Sequence, residues 1–276
     1  MSFTPDLDAY FTRIGDHGPR QPTLETLNRI IEAHVRRIPF ENLDILLGLA
    51  ISVRPEDVEQ KLVHGGRGGY CFEHNTLMLH ILSTLGFEVR PISARVRYQK
   101  PRSFTPPRTH LFLRVEIEGQ SWLVDVGVGG LTPTCALRLT LDTPQQTPHE
   151  TRRIVAEGQW TGFEERSADA RLYHQARFDD TWHDICDFTL EQMLPIDVEL
   201  ANWYTSAHPD SHFKNRLIVA RSCKEGRMIL LGDQYKYRPK SGPLQIQSID
   251  NDEHLLAVLA DTFGLHFPAG TRFPYE

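Results

Sequence analysis

Apolar residues recur at helical spacing through the first third of the chain and at every second position through much of the next. Leu7, Tyr10, Phe11 and Ile14 share one helix face behind Thr4-Pro5, read as a cap followed by proline at the first helical position, and Gly15 stops the run. A second helix starts at Thr23 and carries Leu24, Leu27, Ile30, Ile31 and Val35; a third opens at Pro55 and closes near Gly65. A fourth sets Met78, Ile81, Leu82 and Leu85 on one stripe, with Gly86 as its C-terminal cap. Together these four predict a small helical bundle.

After Gly86 the period changes to two. Val89 to Tyr98 reads as a strand, then Leu111, Leu113, Val115 and Ile117 alternate with His110, Phe112, Arg114 and Glu116, and Trp122 to Val126 follows. From Thr132 to Phe188 the pattern weakens, and Pro144, Pro148 and polar runs predict long connections between short strands. Strands near Leu217–Ser222 and Met228–Leu231 flank a Lys224-Glu225-Gly226 turn. Asp250 and Glu253 make a capping-box-like start to a final helix that carries Leu255, Leu256, Val258 and Leu259 and ends at Gly264. Helices first, strands second and a mixed third part predict an α+β fold divided at about residues 1–86, 87–195 and 196–276.

Composition narrows the class. The 276 residues, 40% hydrophobic and 24% charged, are enough for one large domain or two to three packed subdomains. Thirty basic against 36 acidic side chains give a net charge of -6, so the chain lacks the basic footprint of a nucleic-acid binder, and an anionic ligand needs a local positive site. The first residues carry acids where a signal peptide carries bases, so no export is expected. Ile45–Val53, the most continuous apolar run, falls far short of the roughly 20 residues that cross a bilayer, so no membrane partner is expected. Cys71, Cys135, Cys186 and Cys223 form neither a CxxC pair nor a disulfide framework, which points to the reducing cytoplasm.

Of the four thiols, Cys71 has the most suggestive setting. Arg67-Gly68-Gly69-Tyr70-Cys71 is a glycine-rich loop that ends where the fourth helix begins, so the sulfur falls in the first helical turn, where free amides and the helix dipole favour a thiolate. The exposed amides of such a turn are also suited to hold an oxyanion. The alternative is a small buried hydrophobe, which is what most free cysteines are.

A nucleophilic cysteine needs a base and a group to orient it. If the turn after Ile117 is centred on Glu118-Gly119, Ile117 faces Gln120, Phe112 faces Asp125 and His110 faces Gly127. His110 and Asp125 are then diagonal neighbours on one face, roughly 7–8 Å apart at the backbone. One residue more or fewer in the turn would send Asp125 to the other face. Asp125 also lies between Val124 and Val126, where a carboxylate without a partner is costly. The alternative is an aspartate capping a turn near Gly127 and a surface histidine. Gly127-Val128-Gly129-Gly130 reads equally as a pyrophosphate cradle or as a strand-ending turn. His74, three residues after Cys71, has no second ligand pair at finger spacing, so no metal is expected.

These pieces, in this order, resemble the arylamine N-acetyltransferases. The resemblance rests on Ile38-Pro39-Phe40-Glu41-Asn42-Leu43-Asp44, Arg67-Gly68-Gly69-Tyr70-Cys71-Phe72-Glu73-His74-Asn75, Arg108-Thr109-His110-Leu111, Trp122-Leu123-Val124-Asp125-Val126-Gly127-Val128-Gly129-Gly130 and Asn202-Trp203-Tyr204-Thr205-Ser206-Ala207-His208-Pro209. It implies a papain-like fold with a Cys-His-Asp core: an N-terminal helical bundle with the cysteine, a central β-barrel with the other two residues, and a C-terminal α/β lid. Cys71, His110 and Asp125 match the family's catalytic positions. Arg67 and Glu41 match a structural pair; Thr109, Gly127, Gly129 and Gly130 match the coenzyme A cleft; Phe40, Val96 and Val128 match the acceptor pocket wall. Two features depart from the pattern. Val128 stands where many members have phenylalanine, and the chain ends a few residues past Phe267, so coenzyme contacts from a longer C-terminus are expected to be absent or supplied otherwise.

The activity implied is transfer of acetyl from acetyl-CoA to arylamines, hydrazines or N-hydroxyarylamines through an acetyl-cysteine, with ping-pong kinetics and a part in xenobiotic metabolism. The rival enzyme reading is a papain-like hydrolase or amide transferase using the same three residues. A noncatalytic binding module with a structural cysteine is the third reading.

Overall fold

A computed structural model describes residues 3–157 and 171–274. Met1 and Ser2, the last two residues, and 158–170 within the weakly patterned stretch lie outside the described residues. Helix α1 (Leu7–Ile14) buries Tyr10, Phe11 and Ile14 as the spacing predicts. Its cap is Asp6 rather than Thr4: the Asp6 carboxylate accepts from the Ala9 amide at 2.9 Å, and an anion there also meets the positive end of the helix. Helix α2 (Leu24–Arg37) starts as expected at Thr23, whose hydroxyl caps the Thr26 amide. Strand β1 (Phe40–Glu41) and helix α3 (Leu43–Leu46) are too short to leave a period in the sequence. Helix α4 (Pro55–Glu59) opens on its proline and runs into a π-turn over Gln60–His64.

Helix α5 (Cys71–Thr84) is buried well beyond one stripe, over 10 of its 14 residues. It has the bundle on one side and β-sheet on the other, so Leu77, Met78, Ile81 and Leu82 share a core with α2 and with Leu113, Val115, Val124 and Val126. Strands β2 (Glu88–Val96), β3 (His110–Ile117), β4 (Gln120–Val124), β5 (Leu137–Arg138), β6 (Arg152–Ala156), β7 (Leu172–Phe178) and β8 (Thr181–Gln192) form one sheet in the order β5-β4-β3-β2-β8-β7-β6. Beyond β5 the chain reaches the opposite edge, where Leu141 bridges Ile154 and Gln145 bridges Arg152, so the sheet nearly closes into a barrel. Ile92, Phe112, Leu123, Ile154 and Phe188 fill its interior.

The weak pattern before Phe188 conceals β8, a strand of 12 residues rather than a loop-linked fragment. Its polar residues hide it: Asp184 pairs with Arg102 and Asp187 with the buried Arg97, so charge stands where alternation predicts an apolar side chain.

Helix α6 (Pro195–Ala207) and helix α7 (His212–Asn215) lead into β9 (Ile218–Cys223), β10 (Gly226–Leu231), β11 (Gln234–Pro239) and β12 (Gln245–Ser248). These strands continue β1 in an antiparallel sheet of order β1-β9-β10-β11-β12, with Phe40 opposite Ala220 and Glu41 opposite Val219. The N-terminal segment thus edges the C-terminal sheet. Helix α8 (Asp252–Val258) is capped by Asn251, which accepts from the His254 amide at 2.9 Å, and not by Asp250. The fold is α+β, and no helix among the described residues is long and apolar enough to cross a membrane.

Candidate active site

Cys71 is the first residue of α5, held there from both sides of the loop before it. Behind it, Glu73 accepts from the Tyr70 amide at 3.0 Å and pairs with Lys61 at 2.7 Å. Arg67 pairs with Glu41 at 2.7 Å and with Asp44 at 2.8 Å, and Lys61 also reaches Asp44 at 2.7 Å. Three acids and two cations thus tie the glycine loop to α3 and to the start of α5. The expected Arg67–Glu41 pair is one link of that network.

Across from α5, the β3–β4 hairpin turns on Glu118 (φ 50°) and Gly119 (φ 72°), the two left-handed positions of a tight type I′ turn. Ile117 pairs with Gln120 and the ladder continues to Leu113 opposite Val124. This is the anticipated register, and the hydrogen-bonded ladder ends one step before Asp125. His110 and Asp125 accordingly point to the same side, with Nε2 to Oδ2 at 2.7 Å, and both are almost completely buried.

The pair reshapes both charges. Burial alone would lower the His110 pKa, but the Asp125 charge and hydrogen bond, with a further hydrogen bond to Cys71, raise it above the usual histidine value. Burial would raise the Asp125 pKa, yet His110, the Gly127 amide and Asn75 hold it below the usual carboxylate value. Since Asp125 occupies Nε2, Nδ1 is the ring nitrogen left for the sulfur. Cys71 Sγ also lies 3.6 Å from the Thr109 carbonyl.

Asn75 falls within the Arg67–Asn75 motif, and nothing in the sequence alone marks its role. Its Nδ2 donates to the Leu111 carbonyl at 2.8 Å and to Asp125 Oδ1 at 3.2 Å, while its Oδ1 accepts from the Val126 amide at 3.2 Å. It therefore ties α5 to β3, which carries His110, and to the segment just past β4 that carries Asp125. The available signal was its spacing, four residues past Cys71 and on the same helix face.

Gly127 is required by close approach. A Cβ there would lie 2.7 Å from the Cys71 Cα and 2.8 Å from Asn75 Nδ2. His74 faces away from any ligand role: its Nε2 can only donate to the Pro39 carbonyl at 3.1 Å, so its Nδ1 accepts from His34 at 2.8 Å. Burial lowers its pKa to about 4, so it is neutral. Among the described residues no group of three or more His, Cys, Asp or Glu side chains is arranged to hold a metal ion.

Cys71 and His110 open onto a cavity of about 510 Å³ that Phe40, Val96, Val128, Thr109 and Gly127 also line. Tyr98, Phe104, Tyr204, Phe213 and Leu231, which no sequence motif marks as pocket residues, add apolar wall. Gly129 and Gly130 do not line this cavity: the chain turns into a short 3₁₀ segment, with Gly129 against the Phe40 ring and Gly130 against Ile229.

The sequence profile of the N-acetyltransferase family matches residues 23–271. An arylamine N-acetyltransferase of Mycobacterium tuberculosis is 39% identical over 265 residues, covering 95% of this chain and 89% of that one. The chain belongs to the arylamine N-acetyltransferase family. It is an enzyme of the acyltransferase class. A family member from Salmonella typhimurium, named arylamine N-acetyltransferase / N-hydroxyarylamine O-acetyltransferase, is 36% identical over 95% of this chain and 89% of its own. The family's fold is also shared: the structure of the Mycobacterium marinum enzyme in complex with CoA superposes with a TM-score of 0.86 at 35% identity, covering 94% of this chain and 92% of that one.

Proposed function

We propose that the protein transfers acetyl from acetyl-CoA to arylamines, hydrazines or N-hydroxyarylamines, with Cys71 as nucleophile, His110 as proton carrier and Asp125 as its orienter. The observation that carries the reading is the enclosed Asp125–His110 contact of 2.7 Å beside a thiol that lines an apolar cavity. Membership of the family and the CoA-bound relative support the choice of thioester donor over peptide amide.

Asp125 keeps His110 protonated, and the imidazolium stabilises the Cys71 thiolate. The thiolate attacks the thioester carbonyl, a carbon–sulfur bond to Cys71 forms, and the bond to the coenzyme sulfur breaks. His110 gives its proton to that departing sulfur, and free coenzyme A leaves. The acceptor nitrogen or oxygen then attacks the acetyl-cysteine and loses its proton to His110, while the Cys71 sulfur leaves as thiolate. One thioester replaces another in the first half, so that half is close to thermoneutral. Thr109 and Gly127 lie on the coenzyme's path, Gly129 and Gly130 support that wall from behind, and Phe40, Val96 and Val128 enclose the acceptor ring.

Intact-mass measurement after incubation with acetyl-CoA alone tests this. One acetyl group on Cys71, absent from Cys71→Ala, together with parallel double-reciprocal lines, is the expected result. A Cys71→Ala protein that still acetylates an arylamine would overturn it.

A further inference from the structure

The two oxygens of the Asp125 carboxylate have different partners. Oδ2 faces His110 Nε2 at 2.7 Å, while Oδ1 accepts from the Gly127 amide at 2.9 Å and from Asn75 Nδ2 at 3.2 Å. Rotating the carboxylate would break all three contacts at once.

The Asn75 amide has one possible orientation. Its nitrogen also donates to the Leu111 carbonyl at 2.8 Å, and its oxygen accepts from the Val126 amide at 3.2 Å. Flipped, it would set its oxygen against a carbonyl and a carboxylate and its nitrogen against an N–H, so its neighbours fix both ends. Packing leaves it no other place: the side chain is fully buried, and a Cβ on Gly127 would lie 2.8 Å from Nδ2. Leu111 follows His110 in β3, and Val126 follows Asp125 just past β4. One amide on the helix that begins at Cys71 thus grips the backbone beside the base and beside its orienter.

We infer that Asn75 is a positioning residue for acetyl transfer: it holds Asp125 with Oδ2 towards His110 and keeps that carboxylate charged, and so sets how much of Cys71 is thiolate at neutral pH. This rests on the acyl-transfer reading above and deepens it. A hydrogen bond donated to an ion favours the ion over its neutral form. Without the Asn75 bond the Asp125 charge holds the His110 proton less firmly, and the proton returns from the imidazole to the Cys71 sulfur, leaving neutral imidazole and thiol.

The other titratable groups around the three residues leave this balance readable. His74 on α5 and His174 on β7 are lowered by burial to about 4 and about 3, so both are neutral. The Cys186 thiol on β8 and the Tyr70 hydroxyl are raised by burial and stay protonated, and Arg152, which donates to His174, stays charged. Glu73, raised by burial to about 7, pairs with Lys61 behind the glycine loop and is common to wild type and variants.

The test follows the rate of Cys71 alkylation by iodoacetamide against pH, alongside the rate at which acetyl-CoA acetylates Cys71. Asn75→Leu keeps the size and removes all three bonds, whereas Asn75→Ser is small enough to admit a water as substitute donor. In Asn75→Leu the alkylation midpoint should move to higher pH, with the high-pH plateau unchanged. Acetylation at neutral pH should fall about tenfold to a hundredfold, as for loss of a hydrogen bond to a charged group. Asn75→Ser should lie between that variant and the wild type, and it carries the test if Asn75→Leu does not fold. Coinciding midpoints in wild type and variants would overturn the inference even where activity falls, because lost packing lowers a rate without moving a midpoint. If acetyl-CoA fails to acetylate the wild type, the donor reading falls, and the alkylation midpoints still decide for or against Asn75.

Discussion

His110 and Asp125 are each enclosed by protein, and each holds the other in its charged form. The raised His110 pKa stabilises the fold fully below the usual histidine value near 6.5, and that contribution is lost as pH rises through the raised value. The lowered Asp125 pKa stabilises above the usual carboxylate value of 3.8 and is lost as pH falls through the depressed one. The ion pair therefore persists across the neutral range. Asp125→Asn keeps the size and removes the charge, leaving His110 buried and neutral. Acetyl transfer at neutral pH should fall by about a thousandfold or more, on the scale seen when a triad loses its carboxylate. Iodoacetamide should also alkylate Cys71 more slowly in the variant, and an unchanged alkylation rate would refute the thiolate–imidazolium pair.

At the scale of elements, whether His110 and Asp125 can meet depends on one turn. Glu118 occupies a left-handed position that glycine or asparagine fills at lower cost, and only the short connection forces it. Glu118→Asn should raise unfolding stability by roughly 0.5–1 kcal/mol, measured by urea denaturation, with activity unchanged because register is preserved. Inserting a single residue after Gly119 should shift the register and abolish acetyl transfer. The sequence revealed this hairpin because β3 alternates, whereas β8 escaped notice because Asp184 and Asp187 face arginines that lie far away along the chain. The caps lie one or two residues from the positions the pattern predicts, at Asp6 and not Thr4 and at Asn251 and not Asp250, because several cap-forming side chains stand together and only the folded backbone selects among them.

At the scale of the whole molecule, a half-buried acid joins the barrel to the C-terminal sheet. Glu150 receives two bonds from Arg227 at 2.6 and 2.7 Å and one from Arg152 at 3.0 Å. The same arginines donate to the Thr132 and Leu131 carbonyls, each at 2.7 Å. Burial would raise the Glu150 pKa, but the two guanidinium groups lower it to about 2. Its stabilisation is therefore present above the ordinary value of 4.5 and drains away as pH falls from there towards about 2. Glu150→Gln leaves two buried cations without their counter-ion and should cost about 3–5 kcal/mol at pH 7. Urea unfolding of the two proteins should converge as the buffer approaches pH 2, and a gap that stays constant with pH would show that charge is not the cause.

The sequence by itself determined the helical bundle, the β3–β4 hairpin and the meeting of His110 with Asp125, because local period and turn geometry depend on neighbours along the chain. The placement of Cys71 at a helix start was legible for the same reason. Tertiary structure alone decided that Asn75 ties α5 to β3 and to the segment just past β4, that Gly127 must lack a side chain, and that β1 edges the C-terminal sheet. Those facts depend on pairings between segments remote in sequence, where burial, charge balance and close approach are settled only once the chain has folded.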